Sequence, residues 1–290
     1  MKLDKYKNQI QETAFILVLF QKKLSESFTF QSIQQISKDS NISIDLIIYD
    51  NSPEKMVDIS QNDYPNFNII CYHDKSNPGI SKAYNEGHKI AKKLNKKWIV
   101  LFDQDTKFTE ELFVNYFNAA NNNPDIFLYA PILMDQDIIL SPCRYLLKRG
   151  FRLKNIKPGS QPLKRIGILN SGMFISTSAF EQTGGYNEQI RLDFADFEFL
   201  ERFRKNYKYF YLLNVRCKHQ FASVSDQNKE MIINRYKIFC NSAIHFSTNF
   251  FQYIILMFWT FTRGLKLLIK QHNLIFLLIF FKYYLMKNKI

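Results

Sequence analysis

Apolar residues along the chain come in short runs at residues 15–20, 42–49, 67–72, 98–102 and 127–132, broken only by Ser43, Asp45 and Asn68. These runs are rich in β-branched and aromatic side chains. They read as strands buried on both faces, the kind found inside a parallel sheet. Between them the spacing changes to that of amphipathic helices. Leu24, Phe28, Ile33 and Ile36 share one side of residues 24–37, and Ile80, Ala83, Tyr84, Ile90, Ala91 and Leu94 share one side of residues 80–94. A further helix is predicted over residues 109–120. Later strands are predicted around residues 168–176 and at 209–213, with a short helix at 178–183 that Gly184 and Gly185 end. Strand, helix, strand, strand, helix, strand predicts an α/β domain with a mostly parallel sheet flanked by helices.

Several strands run directly into acids. The 98–102 run is followed by Asp103-Gln104-Asp105-Thr106, and the 42–49 run by Asp50-Asn51-Ser52-Pro53. The carboxyl ends of strands are where open α/β sheets bind ligands. In extended backbone, residues two apart face the same way, so Asp103 and Asp105 would present two carboxylates to one volume. Such a pair suits a hard divalent cation shared with phosphate oxygens, although an isolated Asp-x-Asp also reads as a solvated turn. Asn77-Pro78-Gly79 opens the 80–94 helix, with Lys82 one turn in; an ordinary strand-to-helix turn is the better account of it alone. A second acidic cluster is Asp193-Phe194-Ala195-Asp196-Phe197-Glu198, where acids near a helix start either cap it or supply a general base. His219 lies just beyond the 209–213 strand.

The net charge of +13 calls for an anionic partner or surface. It leaves open a basic nucleic-acid-binding protein, but no nucleic-acid module is recognisable. A nucleotidyltransferase on a similar sheet also stays open. Cys71, Cys143, Cys217 and Cys240 have no metal spacing and read as free thiols of a reducing compartment. No signal peptide is evident at the N-terminus, so a cytosolic catalytic domain is expected. Between residues 138 and 180 there are eight Lys or Arg and no acid. Gly150, Pro158, Gly159 and Pro162 interrupt regular structure there, and a mobile basic loop over the sheet edge is expected. Residues 229–290 hold nine Lys or Arg and one acid, Glu230. Their aromatic runs at 250–261 and 274–286 are shorter than the roughly 20 residues of a spanning helix. Helices lying in a membrane interface are expected, with packing on the domain itself as the alternative. The predicted division is a sheet domain over residues 1–228 and a basic, aromatic helical extension over 229–290.

Four blocks, in order, resemble the inverting family 2 nucleotide-sugar glycosyltransferases, most closely their rhamnosyltransferase-like branch. They are Tyr49-Asp50-Asn51-Ser52; Asn77-Pro78-Gly79 through Asn85-Glu86-Gly87; Leu101-Phe102-Asp103-Gln104-Asp105-Thr106; and Asn170-Ser171-Gly172 through Asp196-Phe197-Glu198. The resemblance covers about residues 14 to 220. It implies a GT-A fold, a nucleotide-diphospho-sugar donor such as dTDP-rhamnose, and Mg2+ or Mn2+. It further implies donor or nucleotide contacts at Asp50, Asn77, Gly79 and Asp103, metal ligands Asp105 and His219, and Asp196 as catalytic base; Lys82, from its place one turn into the helix, joins the donor-binding candidates. The acid often seen just before the base is Ala195 here, so Asp193 or Glu198 would share an acceptor-side role. Phe20-Gln21-Lys22 replaces the family's usual turn after the first strand, and Cys240-Asn241 its later Arg-Asn pair. A lipid-linked or oligosaccharide acceptor, at the cytoplasmic face of a membrane and without nucleic acid, completes the expectation.

Overall fold

A computed structural model describes residues 3–57, 63–220 and 228–287. Four parallel strands form one side of its ten-stranded sheet: β1 (Thr13–Leu19), β2 (Ile44–Asp50), β3 (Phe67–His73) and β4 (Trp98–Asp103), in the order β3-β2-β1-β4. The other side is mixed. It contains β5 (Thr106–Lys107), β6 (Leu128–Asp135), β7 (Ile138–Ser141), β10 (Gly159–Pro162), β12 (Met173–Ser176) and β13 (Tyr209–His219), with β12 antiparallel to both β4 and β6. A separate small sheet joins β8 (Cys143–Leu146), β9 (Arg149–Phe151) and β11 (Ile166–Gly167).

Every residue of β1 is buried, and its side chains alternate between two cores. Ala14, Ile16 and Val18 enter one core; Phe15, Leu17 and Leu19 enter the other. That two-sided burial is why the run is apolar throughout rather than alternating. Helices α1 (Lys7–Gln11), α2 (Phe28–Ser40) and α4 (Glu110–Asn122) cover one face through Ile10, Phe30, Ile33, Leu112 and Phe113. Helices α3 (Ile80–Lys93), α5 (Thr177–Gln182) and α6 (Ala195–Asn206) cover the other through Ala83, Tyr84, Phe180, Phe199 and Phe203. α2 begins later than its apolar spacing predicts, because the Ser27 hydroxyl caps it by accepting from Phe30 N–H at 3.2 Å.

The basic segment differs from the expected loop. β8 and β9 form a two-residue hairpin in which Leu146 pairs Arg149, and Leu147 and Lys148 both have positive φ, 50° and 62°. That is the backbone of the tight hairpin turn normally marked by Asn-Gly. With Leu-Lys at those positions the turn carries no sequence signal. External contacts hold the strained pair instead. Lys148 donates to Glu201 Oε2 at 2.6 Å, and the Leu147 carbonyl accepts from the Trp259 indole at 2.9 Å.

Beyond residues 221–227, which lie outside the described residues and just before the expected boundary at 228, the tail forms α7 (Lys229–Phe246), α8 (Phe250–Gln271) and α9 (Ile275–Ile279), then a π-helical turn over Phe280–Leu285. Ile232, Tyr236, Phe239, Phe246, Leu256, Phe276 and Tyr284 belong to the same hydrophobic cluster as Tyr186 and Phe199. The tail therefore packs on the sheet domain, as the alternative had it. Its outer face nevertheless leaves Phe250, Phe251, Phe258, Ile269, Leu274 and Leu278 exposed. Among the described residues no helix is long and apolar enough to cross a membrane.

Candidate active site

The parallel register brings the strand-end acids to one edge. Val18 pairs with Tyr49 on one side and Asp103 on the other, so Asp50 and Asp103 flank β1 at its carboxyl end. Two strand spacings put them about 10 Å apart. β13 is longer than predicted and includes His219 as its last residue, opposite Thr106 of β5. That pairing returns the chain to the Asp103–Asp105 turn. His219 Nδ1 lies 3.5 Å from Asp105 Oδ1 and 2.7 Å from Thr106 Oγ1, which lies 2.7 Å from Ser171 Oγ.

Asp103 accepts a 2.7 Å hydrogen bond from the buried Tyr84 hydroxyl. Burial, and then the adjacent Asp103 charge, push the Tyr84 phenol well above its ordinary range, so it stays a donor. Asp105 is pushed up to about 6, by burial first and Asp103 second, against the opposing pull of His219. Its Oδ1 is buried and has no hydrogen-bond partner among the described residues. Leaving such an oxygen unpaired is costly. An oxygen-and-imidazole pair of this kind fits a divalent cation. Among the described residues no three or more His, Cys, Asp or Glu converge on one point. Asp105 and His219 would thus leave most coordination positions to phosphate oxygens and water, as Mg2+ usually requires.

Asp196 stands in the first turn of α6, after Phe194 at φ 73°. Its carboxyl is pushed up to about 7, mainly by burial, with Asp103 and Asp193 adding to the rise and the Phe197 N–H opposing it. The Asp103 charge is felt by the Asp196 carboxyl, so the start of α6 lies near the carboxyl end of β4. The neighbouring acids are differently engaged. Burial alone would raise Asp193, but Arg235 and Arg263 outweigh it and hold the carboxyl below its usual range. Arg235 Nε is 3.1 Å from Oδ2, and Arg263 Nη1 is 3.3 Å from Oδ1. Glu198 accepts from Arg202 Nε and Nη2, both at 2.7 Å. Of the three acids, Asp196 is the one not committed to arginine.

The remaining predicted donor residues lie on this edge with their polar groups engaged by the protein. Asp50 is fully buried; Oδ1 accepts from Ser52 N–H at 3.0 Å and Oδ2 from Met56 N–H at 2.8 Å. It orders the turn after β2. The Asn77 carbonyl accepts from Arg191. Lys82 lies 3.6 Å from Asp74. Gly79 has φ 97°, and a Cβ there would come within 2.0 Å of the Arg191 carbonyl oxygen, which already accepts from Ile80 N–H at 2.8 Å. This amide at the start of α3 therefore bonds the loop leading to Asp196, as in an ordinary strand-to-helix turn. Sequence patterning does not reveal Tyr84, Thr106 or Ser171. Tyr84 sits on the apolar side of α3, and only the fold shows that its hydroxyl reaches Asp103.

Two solved structures resemble this fold, and one curated protein is similar in sequence. S. aureus TarS 1–349 in complex with UDP-GlcNAc superposes with a TM-score of 0.52 over 84% of this chain and 70% of that one, at 12% identity. The mannosyltransferase PcManGT of Pyrobaculum calidifontis, in complex with GDP-Man and Mn2+, gives 0.52 over 84% and 68%, at 11% identity. The fold is GT-A-like. In sequence the chain is 28% identical over 151 residues to the dTDP-rhamnosyl transferase RfbF of Shigella flexneri, 51% of this chain. The chain is thus related to a glycosyltransferase, and the match spans about half of that relative's length (48%). No family model matches.

Proposed function

We propose that the chain is an inverting glycosyltransferase that moves a sugar from a nucleotide-diphospho-sugar to an acceptor hydroxyl. The observation that supports this is the contact of His219 with Asp105 beside Asp103 at the sheet edge, together with the buried carboxyl of Asp196, which feels the Asp103 charge. The edge offers a place for a diphosphate and, facing it, a base. With a carboxyl poised near neutrality, Asp196 takes the proton of the acceptor hydroxyl as that oxygen attacks the anomeric carbon. Attack from the face opposite the departing nucleoside diphosphate inverts the configuration. Positive charge grows on the sugar ring during this step, as in other glycosyl chemistry, and nearby carboxylates favour it. Asp105 and His219 would hold a divalent cation, which when bound neutralises charge on the leaving diphosphate. Tyr84 keeps Asp103 oriented toward the donor. The relatives support this assignment: one is named for dTDP-rhamnose, and PcManGT is in complex with GDP-Man and Mn2+. dTDP-rhamnose is accordingly the first donor to test.

A donor panel with released nucleoside diphosphate as readout is the decisive experiment. Turnover is expected with at least one nucleotide sugar, abolished by a chelator and restored by Mg2+ or Mn2+. Asp105→Asn is expected to lower it at least ~100-fold. Release of inorganic diphosphate instead would make the protein a nucleotidyltransferase. Unchanged turnover in both Asp105→Asn and Asp196→Asn would remove the site assignment.

A further inference from the structure

Beside the acidic site lies a second feature of opposite charge. A cavity of about 240 Å3 opens between the β8–β9 hairpin and α8, with Lys148, Arg149, Arg263 and Lys266 in its wall. Phe194, two residues before Asp196, also lines it, together with Phe239 and Trp259. No acid lines it. Asp193 and Glu201, just outside, are matched by Arg263 with Arg235 and by Lys148. Arg149 and Lys266 have no acidic partner among the described residues; the Arg149 guanidinium lies on the Trp259 ring, 4.4 Å from its centre. Two uncompensated cations match the two negative charges of a diphosphate diester, and arginine suits phosphate oxygens geometrically. The volume is below the roughly 300–1,000 Å3 of pockets enclosing a whole drug-sized ligand, so a head group fits and a complete sugar nucleotide does not.

The helix that supplies this wall continues the case. At roughly 100° per residue, α8 has three adjoining faces. Leu256, Thr260 and Gly264 are buried against the protein. Trp259, Thr262, Arg263 and Lys266 line the cavity. Phe250, Ile254, Phe258 and Ile269 form the next stripe and are exposed. A cationic pocket bordered by an exposed apolar stripe is the surface an amphiphile needs.

We infer that this cavity receives the diphosphate head of a lipid-borne acceptor, whose hydrocarbon runs along the exposed stripe of α8 while its sugar reaches Asp196. Calling the ligand an acceptor rests on the glycosyltransferase assignment; the diphosphate site itself does not. The test is a titration of the full chain with a short-chain prenyl diphosphate, followed by intrinsic fluorescence. The chain has two tryptophans, and Trp98 is stacked on Phe174 on the far side of the sheet domain, so the signal reports on Trp259. Saturable binding is expected, with competition by inorganic diphosphate and none detectable for the matching prenyl alcohol. The double variant Arg149→Ala with Lys266→Ala, its fold checked by circular dichroism melting, is expected to bind at least ~10-fold more weakly. Equal affinity in parent and double variant would overturn the site, as would equal affinity for the alcohol. Vesicles of phosphatidylcholine with phosphatidylglycerol separate the two phosphate sources. If the double variant loses vesicle binding but keeps prenyl diphosphate binding, the cavity is a phospholipid contact and the proposal fails. The titration contains no nucleotide sugar, so it can fail while sugar transfer persists and succeed where none occurs.

Discussion

Asp196 combines two demands that pull in opposite directions. A base must be ionised to accept a proton, yet burial holds this carboxyl up at about 7 instead of 3.8. The folded protein thus retains a proton that the unfolded chain releases between about pH 4 and 7. The associated stability is present below about pH 4 and is lost as pH rises to about 7. Asp196→Asn removes that dependence. Its melting temperature is expected to exceed the parent's by ~2 °C or more at pH 8, with the gap closing toward pH 4. The same substitution is expected to lower kcat by roughly 10²–10⁴-fold, and the parent's transfer rate to rise between pH 6 and 8. A pH series of melts and rates on the two proteins checks both. The acid pattern around residue 196 was legible in the chain. The Glu198–Arg202 pair, four residues apart on one helix, is readable in the spacing, but what distinguishes Asp196 from Asp193 was not, because the arginine partners of Asp193 come from the distant helices α7 and α8.

Among elements, the strand-end rule worked because the register of β1, β2 and β4 is set by their continuous burial. The β8–β9 hairpin escaped it, since Leu147 and Lys148 adopt positive φ only because Glu201 and Trp259 hold them. The joint between α7 and α8 depends on a small residue. A Cβ at Gly264 would come within 2.3 Å of the Tyr236 hydroxyl, which donates to the Thr260 carbonyl at 2.9 Å. Gly264→Leu is therefore expected to destabilise by roughly 1–3 kcal/mol. That corresponds to a fall of about 2–4 °C per kcal/mol in a scanning calorimeter for a chain of this size. No change in melting temperature would show that the two helices do not pack here.

Over the whole molecule, one side of the tail joins the core and the other is left apolar. Phe250, Phe251 and Phe258 are 79%, 70% and 56% exposed. A chain of net charge +13 with such a surface is suited to an anionic bilayer. We propose peripheral attachment through this face. Co-sedimentation with vesicles containing phosphatidylglycerol is expected to be lost on Phe250→Ser, Phe251→Ser and Phe258→Ser together, by ~100-fold or more in affinity. Added salt is expected to weaken the parent only in part. Retention of all three serines' binding would place attachment elsewhere.

The chain by itself determined the alternation of buried strands and amphipathic helices, and with it the acids at the strand ends, because side-chain periodicity and turn chemistry are local. It also determined that the tail would be basic, aromatic and too short in its apolar runs to span a bilayer. Tertiary structure decided the rest. It brought His219 to Asp105 through the pairing of β13 with β5, separated by more than a hundred residues. It raised Asp196 toward neutrality by surrounding it, and it built the cationic cavity from a hairpin and a distant helix. Burial and charge proximity are properties of the folded neighbourhood, and no spacing along the chain encodes them.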